Sequence, residues 1–272
     1  NFLTLGLLIV LTVLGLSLIR TSLLKNAQET GTALTQIYAA EWESNLTIYE
    51  TLLSFGTSSI SDRLASKTSR EDLVSWLNLY FQRVEAVLGK GIVDPYLVLD
   101  GKILAANPWD GDDSYDVSST EWYQKAREAG GEVIFTNVYT DAIYDKPVIT
   151  AAQQCGDGDA VLAFDIFPEN FDFQFDSPEQ LKEDSFFLCD SAGTIIYQQT
   201  NMTQSQEDVQ DYLNTIIQKI DAGELDNYTH PITDLDGKLR PVSYTRMDNG
   251  WISIITVPYV SILGSFNWLS LF

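Results

Sequence analysis

From Asn1 to Ile19 no side chain is charged, and Arg20 ends the run. About 20 apolar residues carry a helix across a bilayer core, so residues 1–20 are expected to form a membrane helix. A cleavable signal peptide has a shorter apolar core and then a small-x-small site. Here Arg20-Thr21-Ser22-Leu23-Leu24-Lys25 follows, and the helical pattern continues. Leu23, Leu24, Ala27, Leu34, Ile37, Tyr38, Trp42, Leu46, Tyr49, Leu52 and Leu53 return every three or four positions with no proline between them. That spacing predicts a stalk helix over 21–66, able to carry a displacement along its axis. Ser69-Arg70-Glu71-Asp72 then reads as a capping box, and Leu73, Leu77, Phe81, Val84 and Leu88 as the buried stripe of a second helix, closed by Gly89 and Gly91.

Beyond Gly91 the period shortens. PYLVLDGKILAAN reads as two strands around an Asp100-Gly101 turn, and Thr120 to Ala129 as a short helix. Strands are expected at 132–135, 147–154 and 160–167. FFLCDSAGTIIYQ opens a second, smaller version with helix 206–220 and strands around 228–232, 239–246 and 251–257. Asp100-Gly101-Lys102 and Ser191-Ala192-Gly193-Thr194 hold equivalent places, the mark of an internal repeat. The fold class is therefore α+β, with a long N-terminal stalk helix and two PAS-like α/β modules with antiparallel sheets. The first module takes residues 67–184 and the second 185–258. The uncharged end, 259–272, is expected to begin a second membrane helix that continues past Phe272. Two membrane segments around the body place it outside the cytoplasm as a loop domain.

Charge narrows the partners. Lys plus Arg is 16 and Asp plus Glu is 38, a net −22 over 272 residues. Phosphate repels such a surface, so nucleic acid is excluded and anionic lipid headgroups are disfavoured. Residues 94–190 hold 21 acidic and 5 basic side chains, a field that concentrates cations. With one histidine, His230, and two cysteines, Cys155 and Cys189, neither a zinc site nor a disulfide framework is expected. The acidic loops Asp110-Gly111-Asp112-Asp113 and Asp157-Gly158-Asp159 lack EF-hand spacing. No metal or cofactor is assigned. No nucleophile motif or phosphate loop marks the segment as an enzyme.

The pieces PYLVLDGKILAANP, TEWYQKAREAGG, FTNVYTDAIYDKPVITAAQ, AVLAFDIF, FFLCDSAGTIIY and NGWISIITVP stand in one order. In that order they resemble the double Cache (dCache) sensor domain of bacterial transmembrane receptors, over roughly residues 21–259. The resemblance implies a small-molecule ligand in the membrane-distal module. It also implies a signal through the stalk and membrane helices, a homodimer through the stalk, and a cell-membrane location. It leaves the output open among a chemotaxis hub, a histidine kinase and a cyclic-dinucleotide enzyme. In the amino-acid-binding branch the motif is tyrosine, four residues, arginine, one residue, tryptophan-tyrosine, then two aspartates. Its matches here are Tyr115, Trp122-Tyr123, Asp141 (with Tyr139 two before it) and Asp165, while Thr120 stands at the arginine. That arginine clamps a ligand carboxylate, and threonine carries no charge to replace it. The ammonium half survives: Asp141 and Asp165 as anions, Trp122, Tyr123 and Tyr139 as aromatic walls. The sequence is therefore similar to an amine-sensing relative, and a small amine is the expected ligand. The alternatives are an amino acid, a purine or a carboxylate in the same fold, or a docking module with no small ligand.

Overall fold

A computed structural model describes residues 2–89, 91–112, 114–170, 184–225 and 231–264. Helix α1 runs unbroken over Phe2–Ala65, so the expected anchor and stalk are one element. Its first turns expose Leu7, Leu8, Leu11 and Leu14, as suits a helix solvated by lipid. Farther along, Trp42, Leu46, Tyr49, Leu53 and Ile60 form a buried stripe. Ile37, counted above as part of the stripe, is 58% exposed because it lies one residue, or about 100°, off that line. The described chain divides into two compact units, one within residues 42–174 and the other within 1–41 and 175–272.

In the 42–174 unit, α2 (Arg70–Leu88) starts as its sequence requires. Ser69 Oγ accepts from the Asp72 amide at 3.1 Å and donates to the Asp72 carboxylate at 2.7 Å. The strands are β1 (Val93–Leu99), β2 (Lys102–Ala105), β3 (Ile134–Phe135), β4 (Tyr139–Thr140), β5 (Pro147–Gln154) and β6 (Val161–Ile166), with α3 (Glu121–Glu128) between β2 and β3. Asp100 and Gly101 both take positive φ, 54° and 72°, which makes the tight β1–β2 turn. The antiparallel sheet runs β2-β1-β6-β5-β3, and β4 also pairs with β5. Alternation along β6 divides its duties. Val161 and Ala163 pack with Tyr96, Trp122, Tyr123 and Ala126. Leu162, on the opposite face, meets α1 at Gly56. A Cβ there would lie 2.6 Å from Leu162 and 2.5 Å from the Tyr80 hydroxyl, so only glycine allows this approach.

The other unit repeats the plan. Its elements are β7 (Ser185–Cys189), β8 (Ile195–Gln199), α4 (Gln206–Asp221), β9 (Ile232–Thr233), β10 (Leu239–Arg240), β11 (Val242–Arg246), β12 (Ile252–Thr256) and a short α5 (Tyr259–Leu263). The sheet order β8-β7-β12-β11 reproduces β2-β1-β6-β5. Phe187, Leu213, Ile216, Ile252 and Ile254 fill its core. The single strand expected over 239–246 is two, because Pro241 has no amide to continue a ladder. Residues 228–230 of the strand expected around 228–232, His230 among them, Asp113, and residues 265–272 of the expected second membrane helix lie outside the described residues. Cys155 and Cys189 are buried free thiols.

Candidate ligand cavity

β1, β6 and β5 place three polar residues in one cross-strand row. Asp94 on β1 is the register partner of Asp165 on β6, and Asp165 is the partner of Thr150 on β5. All three are buried, at 8%, 8% and 0% exposure. Directly opposed residues stand about 5 Å apart, and like charges there are destabilising. Asp94 and Asp165 of this row form part of the wall of a cavity also lined by Tyr96, Trp109, Asp112, Tyr115, Trp122, Tyr139, Asp141 and Ile143. Four aspartates face this space, and no described lining residue is Lys, Arg or His.

Hydrogen bonds fix the floor. Asp165 Oδ1 accepts from the Tyr96 hydroxyl at 3.0 Å and from Thr150 Oγ1 at 2.6 Å. Thr150 has one hydroxyl proton, already given to Asp165, so Tyr139 must donate its own to Thr150 across 2.5 Å. Burial raises the Asp165 carboxyl to about 7. The two hydroxyl bonds oppose the rise, and the nearby Asp141 and Asp94 charges add to it. Burial likewise raises Asp94 to about 6. The Asn107 amide, donating at 2.9 Å, holds it lower than burial alone would. Desolvation, then the Asp165 and Asp141 charges, pushes the Tyr115 phenol up. The Trp122 ring packs edge-on to Tyr96, centroids 5.5 Å apart, and closes the apolar side.

Five expected residues, Tyr115, Trp122, Tyr139, Asp141 and Asp165, come together in this lining. Asp141 also has a local duty, since its Oδ1 caps the following turn by accepting from the Ile143 and Tyr144 amides at 3.1 and 2.6 Å. Thr120 and Tyr123 are not in the lining. Thr120 is the N-cap residue of α3, and its hydroxyl donates to the Val117 carbonyl at 2.7 Å. Tyr123 points its hydroxyl to the Asp159 carbonyl at 2.8 Å. Asp94, Tyr96, Asn107, Trp109, Asp112 and Thr150 were not anticipated. A signal existed for Asp94, a carboxylate inside the apolar run Val93–Leu99 and in step with Tyr96. Thr150 within β5 gives no such signal. In the second unit the buried Asp190 and Asp234 serve turns and a buried ion pair. Asp190 accepts from the Ala192 and Thr194 amides, and Asp234 from the Asp236 and Lys238 amides while pairing with Arg240.

Known proteins share this layout. Residues 60–166, which hold the row and all of the described lining, match the family described as methyl-accepting chemotaxis protein-like, first PDC sensor domain. That is a sensor family and not an enzyme family. A 54-residue stretch is 44% identical to the methyl-accepting chemotaxis protein McpB of Bacillus subtilis, covering 20% of this chain and 8% of McpB. In fold, the chain is similar to the ligand-binding domain of the Campylobacter jejuni chemoreceptor Tlp3 in complex with L-valine. The TM-score is 0.64 at 20% identity, over 89% of this chain and 97% of that one. It is also similar to the ligand-binding domain of Pseudomonas fluorescens CtaA in complex with L-isoleucine. There the TM-score is 0.61 at 15% identity, over 91% and 97% of the two chains.

Proposed function

We propose that this chain is the extracytoplasmic sensing part of a transmembrane chemoreceptor, and that its cavity recognises the ammonium group of a small ligand, in the first instance an amine. The observation that carries the reading is the Asp94–Asp165 pair, two buried carboxylates set opposite one another with no Lys, Arg or His among the described residues of the wall. A proton relieves that repulsion, and so does a bound cation. An ammonium group offers three donors, and the aromatic faces of Trp122 and Tyr115 favour it further.

Signal output follows from the sheet. A ligand that reshapes the floor acts on β6, whose reverse face holds Leu162 against Gly56 of α1. Two packings of α1 on that face, bound unequally by the ligand, suffice for a switch.

The second reading is an amino acid, and the complexes of the similar domains with L-valine and L-isoleucine favour it. It shares the ammonium half of the site. It requires neutral donors to hold the ligand carboxylate among four aspartates, since Thr120 stands where the related motif has its arginine.

Titration of the detergent-solubilised chain with isobutylamine tests the reading. The wild-type chain is expected to bind, with about 2.7 kcal/mol of stabilisation at a hundred times the dissociation constant. Asp165→Ala is expected to lose the heat signal while its circular dichroism stays native. Equal affinity in that variant contradicts the site.

A further inference from the structure

The cavity has a gradient of burial. Tyr96, Trp122, Asp141 and Asp165 are 5–8% exposed, whereas Trp109 is 40% and Ile143 37% exposed. Two large apolar side chains therefore stand at the mouth of a pocket whose depth is acidic. They come from different loops, one after β2 and one between β4 and β5.

Each is held in place by an aspartate of the same wall. The Trp109 amide donates to the Asp112 carboxylate at 2.9 Å, and the Asp112 amide returns a bond to the Trp109 carbonyl at 3.0 Å. The indole lies against Gly111, so closely that any Cβ at 111 would overlap three carbons of the ring. Glycine is required here for space, because it lets the ring settle against backbone. On the facing loop, the Ile143 amide donates to Asp141 Oδ1 at 3.1 Å. An exposed tryptophan fixed this firmly loses little freedom when something covers it, which is the arrangement that favours a contact residue.

We propose that Trp109 and Ile143 are the specificity-determining residues of the cavity, gripping an apolar body attached to the ammonium group that the aspartate floor holds. The inference rests on the ammonium reading above and deepens it. It names the ligand class as an amine with an aliphatic or aromatic body of several carbons, and it excludes short amines as the preferred ligands. The four lining aspartates are accounted for. Asp94 and Asp165 face the cation, while Asp112 and Asp141 also pin the mouth.

The test is a chain-length series, ethylamine to hexylamine, titrated calorimetrically into the full chain in detergent. Each methylene that enters the grip should tighten binding by about fourfold, the equivalent of burying one CH₂. Trp109→Ala and Gly111→Ala, the second keeping the indole but lifting it off its seat, should flatten that dependence to below about twofold per methylene. Ile143→Ala should lower it in part. Asp165→Asn should weaken every member by a similar factor and leave the slope alone. Trp109→Ala sits on an exposed loop, and its circular dichroism reports whether it folds. A folded Trp109→Ala chain with the wild-type slope overturns this inference and spares the ammonium reading. A wild-type chain that binds no member of the series overturns both.

Discussion

Asp165 is worth more to a ligand than to the fold. Its carboxyl titrates near 7 because burial penalises the charge, and the ionised form faces Asp94 across one strand gap. The folded value lies above the unfolded value of 3.8, so the contribution to stability is complete below about pH 4. It is lost as pH rises through about 7. Asp165→Asn keeps acceptors for Tyr96 and Thr150 and removes the charge. Thermal melts should show the variant more stable than the wild type above pH 7, by on the order of 4 kcal/mol, with the gap closing toward pH 4. A constant gap across that range would contradict the assignment. Ammonium binding has the opposite trend. It needs the ionised floor, so wild-type affinity should fall as pH drops from 8 through 7 and 6, the ranges of Asp165 and Asp94. At this scale the sequence was only partly legible. A carboxylate at the end of an apolar strand announced Asp165, but its partner Asp94 lies 71 positions away and is identified only by the strand register.

Elements were more readable than residues, because periodicity and punctuation are local. Ser69 capped α2, Asp100-Gly101 turned β1 into β2, and Pro147–Gln154 was a strand with the bounds expected. β4 was missed since two residues carry no period, yet it presents Tyr139 to the cavity. Nor did any pattern mark Gly56, whose role comes from what crosses it. An added methyl there would meet the Tyr80 hydroxyl, itself bonded to the Leu52 carbonyl at 2.6 Å, and Leu162 behind the floor. Alanine gains about 1 kcal/mol of helix propensity but overpacks a tight contact, which costs about 1–3 kcal/mol. Gly56→Ala should therefore lower the melting temperature. It should also weaken the ligand-induced change in α1, read by spin labels on that helix, while isobutylamine affinity changes less than about threefold. An unaltered α1 response would show that the signal leaves the cavity by another element.

At the scale of the whole chain, α1 carries an exposed apolar start, the buried Tyr38 and Ala39 in one unit, the buried stripe from Trp42 to Ile60 in the other, and a surface left over. Ile37, Ile48 and Phe55 are 58%, 46% and 63% exposed at spacings of eleven and seven, which return to one side of a helix. We propose that this line meets its copy in a homodimer. Phe55→Glu should shift the detergent-solubilised chain toward monomer in sedimentation, and an unchanged mass would remove α1 from the interface. The two units repeat one sheet order, but among the described residues only the first has the opposed aspartates, so a shared fold does not imply a shared site. The central claim is that the cavity reads the ammonium group without a clamp for carboxylate. Calorimetry with isobutylamine, L-valine and isovalerate tests it most directly, because the three share one carbon skeleton and differ only in their charged groups. The account predicts that isobutylamine binds at least as tightly as L-valine and that isovalerate does not bind. L-Valine tighter than isobutylamine by tenfold or more, or any binding of isovalerate in this cavity, would contradict it.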